Sequence, residues 1–161
     1  MNGNVIVLNG TSSSGKTTLA RELQAKLSET YLLCSLDMFW DMTPYGVAAG
    51  SKNFPNMKLA LAKSVRALAE TGHNVIVDIV FCGQKTYTEL VQEFEGLNSK
   101  IVKVECSLGE LQKREISRGD RTIGLAKSQY DSVHKGVSYD LNVNTLINSP
   151  EQCAQKVIGV L

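Results

Sequence analysis

The sequence is poor in residues that staple a chain or carry it across a bilayer. Its 161 residues hold two histidines, three prolines, one tryptophan and 6% aromatics in all. No apolar run approaches the ~18 residues of a membrane span. The opening Met1-Asn2-Gly3-Asn4 lacks the basic stretch of a secretory leader. Cys34, Cys82, Cys106 and Cys153 form no C-x-x-C pair, and neither His73 nor His134 stands at zinc-finger spacing. Free thiols in a reducing compartment are therefore expected, and the cytoplasm with them. A net charge of +1 does not favour a strongly basic stripe for nucleic acid and leaves room only for a local basic site. Repeats, low-complexity tracts and linkers are missing too, so residues 1–161 read as one domain.

What is present is alternation. Val5-Ile6-Val7-Leu8 is a compact apolar run of the kind buried on both faces of a parallel sheet. Further strands are expected over Tyr31 to Leu36, Val75 to Val77, Ile101 to Val104 and, weakly, Leu141 to Val143. Helices are expected from Lys16 to Leu27, from Pro55 to Glu70, over Thr86 to Phe94, over Leu108 to Ser117 and from Leu125 to Lys135. A last helix opens at Ser149, whose spacing to Gln152 is that of a capping box. The βαβα order predicts an α/β fold: a parallel sheet with helices on both faces.

Between the first strand and the first helix lies Gly10-Thr11-Ser12-Ser13-Ser14-Gly15-Lys16-Thr17, a full match to G-x-x-x-x-G-K-[ST]. With glycine usage near ~7%, chance supplies such a match in well under ~1% of chains this long. The glycines permit close backbone approach, and the loop amides point inward at a helix N-terminus as an anion nest. Lys16 reaches the outer phosphates of a nucleotide, and the Thr17 hydroxyl is a ligand for Mg²⁺. Thr18, next on the helix, is counted with the nucleotide-binding residues. Asp78, closing the third strand, is a candidate for the same Mg²⁺, against a plain role in capping the next loop.

Asp37 follows the second strand, at the sheet edge where ligands gather in parallel folds. It is a candidate general base for an attacking hydroxyl, with Phe39 and Trp40 as candidate pocket walls. The plainer alternative has Asp37 capping a short helix. Arg114, Arg118 and Arg121 form R-x-x-x-R-G-D-R, a candidate clamp on a transferring phosphoryl group. Its plainer alternative is a solvated basic face balanced by Glu110, Glu115 and Asp120. Neither histidine is assigned to catalysis.

These residues together resemble the chloramphenicol phosphotransferase-like kinases. The likeness rests on Leu8-Asn9-Gly10, Ser12-Ser13, Gly15-Lys16, Asp37, Met42, Pro44, Asp78 and Val80-Phe81. In the C-terminal third it rests on Arg118-Gly119-Asp120-Arg121, Gly124, Ala126-Lys127, Val133-His134, Gly136-Val137, Tyr139-Asp140, Val143 and Thr145. The resemblance implies a P-loop fold with five parallel strands in order 2-3-1-4-5. It implies ATP and Mg²⁺, transfer of the γ-phosphate to a small-molecule hydroxyl, and Asp37 as base. Arg118 and Arg121 would belong to a lid-like segment near residues 114–128, and the adenine would lie near Thr145 to Pro150. The stretch from Pro44 to Pro55 is shorter than the family leads one to expect, which leaves the acceptor open. Kinases of nucleotides, nucleotide sugars or polynucleotide 5′-hydroxyls, and a non-catalytic nucleotide-binding module, are the alternatives.

Overall fold

The computed structural model describes residues 1–47, 56–81, 83–119 and 122–161. Its centre is the apolar run after the N-terminus. Strand β1 (Val5–Asn9) is buried throughout and lies between β3 (Asn74–Ile79) and β4 (Ser99–Glu105). Strand β2 (Tyr31–Ser35) adds to β3, and β5 (Leu141–Asn144) to β4. All five strands are parallel, in order 2-3-1-4-5.

Strand residues alternate between the two faces of the sheet, so one strand feeds two cores. Val5 and Val7 pack with Val75, Val77 and Leu61 on one side, against α3 (Met57–Glu70) and α4 (Gln84–Glu93). Ile6 and Leu8 pack with Leu19, Leu23 and Val157 on the other, against α1 (Lys16–Lys26) and α7 (Pro150–Ile158). A third, small apolar group holds Cys106, Leu111 and Ala126 between α5 (Leu108–Arg118) and α6 (Leu125–Tyr130). No helix among the described residues is long and apolar enough to cross a membrane.

Several expected boundaries move. A short helix, α2 (Leu36–Trp40), follows β2 directly, and its cap is Ser35, whose hydroxyl accepts from the Met38 amide at 3.3 Å. Asp37 is therefore not the cap. Helix α3 is described from Met57, and Pro55 lies outside the described residues. Helix α6 ends at Tyr130 rather than Lys135. From there the chain turns through Gly136 (φ 70°), and Val133 is buried in that turn. The capping box at Ser149 and Gln152 forms as read, with both reciprocal hydrogen bonds present. Cys106 and Cys153 are buried free thiols, Cys34 is half-buried, and Cys82 lies outside the described residues.

Candidate active site

The phosphate loop is shaped by what it packs against. A Cβ on Gly10 would lie 2.4 Å from the Val104 carbonyl oxygen, so only glycine lets the loop leave β1 this close to β4. Gly15 (φ 94°) and Ser13 (φ 63°) both occupy the left-handed region, which curls the loop over the start of α1. A serine held there is costly, and such residues concentrate where backbone geometry serves a ligand.

Helix α1 opens without a side-chain cap and without an acidic residue in its first turn. Its leading N–H groups thus face the loop's concavity with the positive end of the helix dipole. The buried hydroxyls of Ser13 and Ser14 have no hydrogen-bond partner among the described residues. Lys16 is only 7% exposed; its ammonium donates to the Thr11 carbonyl at 2.8 Å and lies 3.9 Å from Asp78 Oδ1. An arrangement of this kind could hold an oligophosphate.

Thr17 Oγ1 donates to Asp78 Oδ2 at 2.5 Å, bringing a hydroxyl and a carboxylate together at the end of β3. Hard oxygen donors of this kind, one carboxylate with room for phosphate oxygens beside it, fit Mg²⁺.

Two cavities flank the loop. The larger, about 470 Å³, is bounded by Lys16 and Thr17, by Asp37 and Trp40 of α2, by Lys58 of α3, and by Arg118 at the end of α5. The other, about 430 Å³, runs along Gly15 and Thr18 to Arg114, Thr145, Asn148 and Pro150. Arg118 borders both.

The structure thus brings Asp37, Lys16, Thr17, Asp78 and Arg118 around one space. Arg114 turns elsewhere. Its guanidinium donates to Glu110 Oε1 at 3.0 Å, to Thr145 Oγ1 at 3.2 Å and to the Thr145 carbonyl at 3.0 Å, bracing the second cavity. Thr145 in turn donates to the Ser14 carbonyl at 2.7 Å, which ties this wall to the phosphate loop. Trp40 reaches the larger cavity, whereas Phe39 packs on the core. Arg121 and Asp120 lie outside the described residues. Gly119 ends α5 in the left-handed conformation (φ 67°).

Some residues at the site escaped the reading of the sequence. Lys58 donates to the Val80 carbonyl at 2.7 Å and borders the larger cavity. Gln129 of α6 accepts from the Ser12 amide at 2.7 Å. Glu115, which only the plainer alternative considered, as a counter-charge on a solvated face, is 1% exposed; its carboxylate accepts from the Gly124 and Ala126 amides at 2.7 and 2.8 Å. It supplies the N-terminal cap that α6 lacks of its own.

Asn9, fully buried, accepts from the Phe81 amide at 2.8 Å and donates to the Val133 carbonyl at 3.0 Å and the Tyr139 hydroxyl at 2.6 Å. Tyr139 and His134 Nδ1 are 2.6 Å apart. Burial pulls the His134 imidazole down to about 4, with Lys103 adding to the effect. Burial likewise pushes the Tyr139 phenol up to about 12. Both are therefore neutral at pH 7. With Asn9 already donating to the phenol oxygen, the Tyr139 O–H is free to donate to His134 Nδ1. In the sequence Asn9, Val133, His134 and Tyr139 entered through the family resemblance, with no role attached to the network they form.

The family model described as "Chloramphenicol phosphotransferase-like protein" matches residues 3–161. Two Mycobacterium tuberculosis proteins, from two strains and both provisionally named O-phosphotransferases, are 28% identical over 181 aligned positions, covering 96% of this chain and 80% of theirs. Among solved structures, the APS kinase of Mycobacterium tuberculosis in complex with AMPPNP and APS superposes with a TM-score of 0.80. It is 18% identical and covers 99% of this chain and 97% of its own. A gluconokinase from Sinorhizobium meliloti gives 0.71 at 14% identity over 99% and 91%. The tunicamycin resistance protein of Deinococcus radiodurans gives 0.71 at 14% over 98% and 94%. At these identities the structures speak for the fold, and the family match covers nearly the whole sequence. The chain belongs to the chloramphenicol phosphotransferase-like family, and is a kinase of P-loop fold.

Proposed function

We propose that this kinase transfers the γ-phosphate of ATP to a hydroxyl of a small molecule, with an antibiotic among the candidate acceptors. The observation that carries the reading is one cavity bordered by Lys16 and Thr17 of the phosphate loop, Asp78 of β3, Asp37 of α2 and Arg118 of α5. Residues 1–161 work as one kinase domain in the cytoplasm, where ATP is supplied, with residues 114–128 as its lid-like part.

In this reading amides of the loop from Gly10 to Thr17, that of Ser12 excepted, and the Lys16 ammonium hold the β- and γ-phosphates, with Thr18 and Arg114 on the side of the base. The base lies along Thr145, Asn148 and Pro150. Thr17 and Asp78 are the residues that would hold Mg²⁺, which when bound offsets charge on the phosphate oxygens. The acceptor enters beside Trp40 and Lys58. Asp37 takes the proton of its hydroxyl as the oxygen attacks the γ-phosphorus. The bond from that phosphorus to the β–γ bridging oxygen breaks, and ADP departs. Arg118, with Arg121, offsets the charge spread over the transferring group. Little covalent chemistry falls to the protein, so position and electrostatics supply the rate.

The test is ADP release measured across hydroxylated antibiotics, sugars, nucleosides and short 5′-hydroxyl oligonucleotides, in the wild type and in Asp37→Asn. Acceptor-dependent release is expected with a small molecule, falling by about 10²-fold or more in the variant while nucleotide affinity holds, as loss of a general base does. Release with oligonucleotides alone would overturn the small-molecule reading. Undiminished turnover by Asp37→Asn would remove Asp37 as the base.

A further inference from the structure

Gln129 stands at the outer end of the phosphate loop with one half of its amide committed. The Ser12 N–H is a donor, so the atom 2.7 Å from it must be the side-chain oxygen. That settles the orientation of the amide and turns its nitrogen, which carries two N–H donors, the other way. Nε2 makes no hydrogen bond among the described residues.

Its surroundings say what those donors meet. Ser12 and Gln129 border the cavity that holds Lys16, Asp37 and Arg118. Neither borders the cavity along Arg114, Thr145 and Pro150. The Ser12–Gln129 pair therefore lies on the acceptor side of the loop, where the outermost phosphate and the attacking hydroxyl come together. Ser12 is itself only 7% exposed, and its amide is taken up by Gln129.

The start of α6 is held to α5 by the Glu115 carboxylate, and Gln129 follows three residues after Ala126, one of the two amides so held. A side chain on an anchored helix loses little freedom in making one more contact, which is the condition for an effective preorganised donor.

We propose that Gln129 is a contact for the transferring phosphoryl group: Oε1 fixes the third position of the phosphate loop, and Nε2 donates to a γ-phosphate oxygen. The proposal rests on the nucleotide reading above and adds a residue to it. Its consequence is selectivity between nucleotides that differ only in the γ-phosphate, which needs no knowledge of the acceptor.

The experiment is calorimetric titration of the full chain with ADP and with AMPPNP, in the presence of Mg²⁺, for wild type, Gln129→Glu and Gln129→Ala. Glutamate keeps an oxygen for the Ser12 amide and replaces the two donors with an acceptor that repels phosphate. AMPPNP affinity is expected to fall about 10- to 100-fold in Gln129→Glu, the scale of one lost hydrogen bond to a charged group. ADP affinity is expected to stay within about 2-fold in the same variant. Gln129→Ala should weaken AMPPNP by less and spare ADP to a similar degree. Equal losses for both nucleotides would mean that Gln129 only braces the loop, and unchanged AMPPNP affinity would mean that it touches no phosphate; either overturns the proposal. A wild type that binds neither nucleotide would sink the kinase reading and this contact with it.

Discussion

Replacing Glu115 by glutamine changes one atom in a buried place, and its effect follows from hydrogen-bond arithmetic. Each carboxylate oxygen accepts one backbone N–H, from Gly124 at 2.7 Å and from Ala126 at 2.8 Å. An amide offers one acceptor and turns an NH₂ toward the other donor. One charge-assisted bond, about 1.5–3 kcal/mol, is lost outright. The other becomes neutral and roughly half as strong. Against this, a neutral side chain avoids the cost of burying a charge, which recovers on the order of 1 kcal/mol or more. The net loss is about 2 kcal/mol, worth roughly 4–8 °C in Tm for a domain of this length. Scanning calorimetry reads the shift. Amide exchange at Gly124 and Ala126, followed by NMR, reads whether the start of α6 opens first. A Tm within about 1 °C of wild type together with unchanged exchange at both amides would refute the claim that this carboxylate holds α6 in place.

Gly10→Ala pushes a methyl group against the Val104 carbonyl oxygen (2.4 Å) and the Ser14 hydroxyl (2.7 Å). The loop must shift away from β4, so ADP affinity should fall by about 10-fold or more, with a stability loss of about 1–3 kcal/mol. Wild-type ADP affinity in that variant would contradict the packing argument. His134 is held neutral in the folded chain, to about 4 against the usual 6.5, so between those values the unfolded chain binds more protons. Its contribution is therefore complete above pH 6.5 and lost as the pH falls toward 4. His134→Asn, which keeps an acceptor for Tyr139, should flatten the fall of Tm across that window; parallel Tm-against-pH curves would show that His134 has no such role.

The sheet was legible because its signal is local. Val5 to Leu8 and Val75 to Val77 are apolar without interruption, and only strands covered on both faces need that. The phosphate loop was legible for a related reason: its glycines, lysine and threonine stand at a fixed spacing within eight residues, although Val104, Gln129, Thr145 and Asp78 touch the loop from elsewhere in the chain. Helix periodicity reached less far. It ran α6 on to Lys135, because Ser132 to Lys135 is compatible with a helix. What ends the helix is burial of Val133 and the contacts of Asn9 with Val133 and Tyr139, which join residues 124 and 130 apart in sequence, together with the local Tyr139–His134 pair.

The polar residues that went unread share one property: each acts on an element other than its own. Glu115 sits in a run with Arg114 and Arg118, where a carboxylate looks like a surface counter-charge. It becomes a cap only because α6 folds back beside α5 across the turn at Gly119 and Gly124. Gln129 looks like any exposed amide until α6, so anchored, brings it to Ser12, 117 residues away. Sequence spacing identifies a residue's chemistry when its partners are its neighbours. Here the nucleotide cradle is of that kind, and the α6 wall that faces it is not. That wall is assembled by backbone caps and single side-chain contacts, each worth about 1–3 kcal/mol. If the larger cavity takes the acceptor as proposed, substitutions in this wall should change acceptor selectivity with little effect on the phosphate loop.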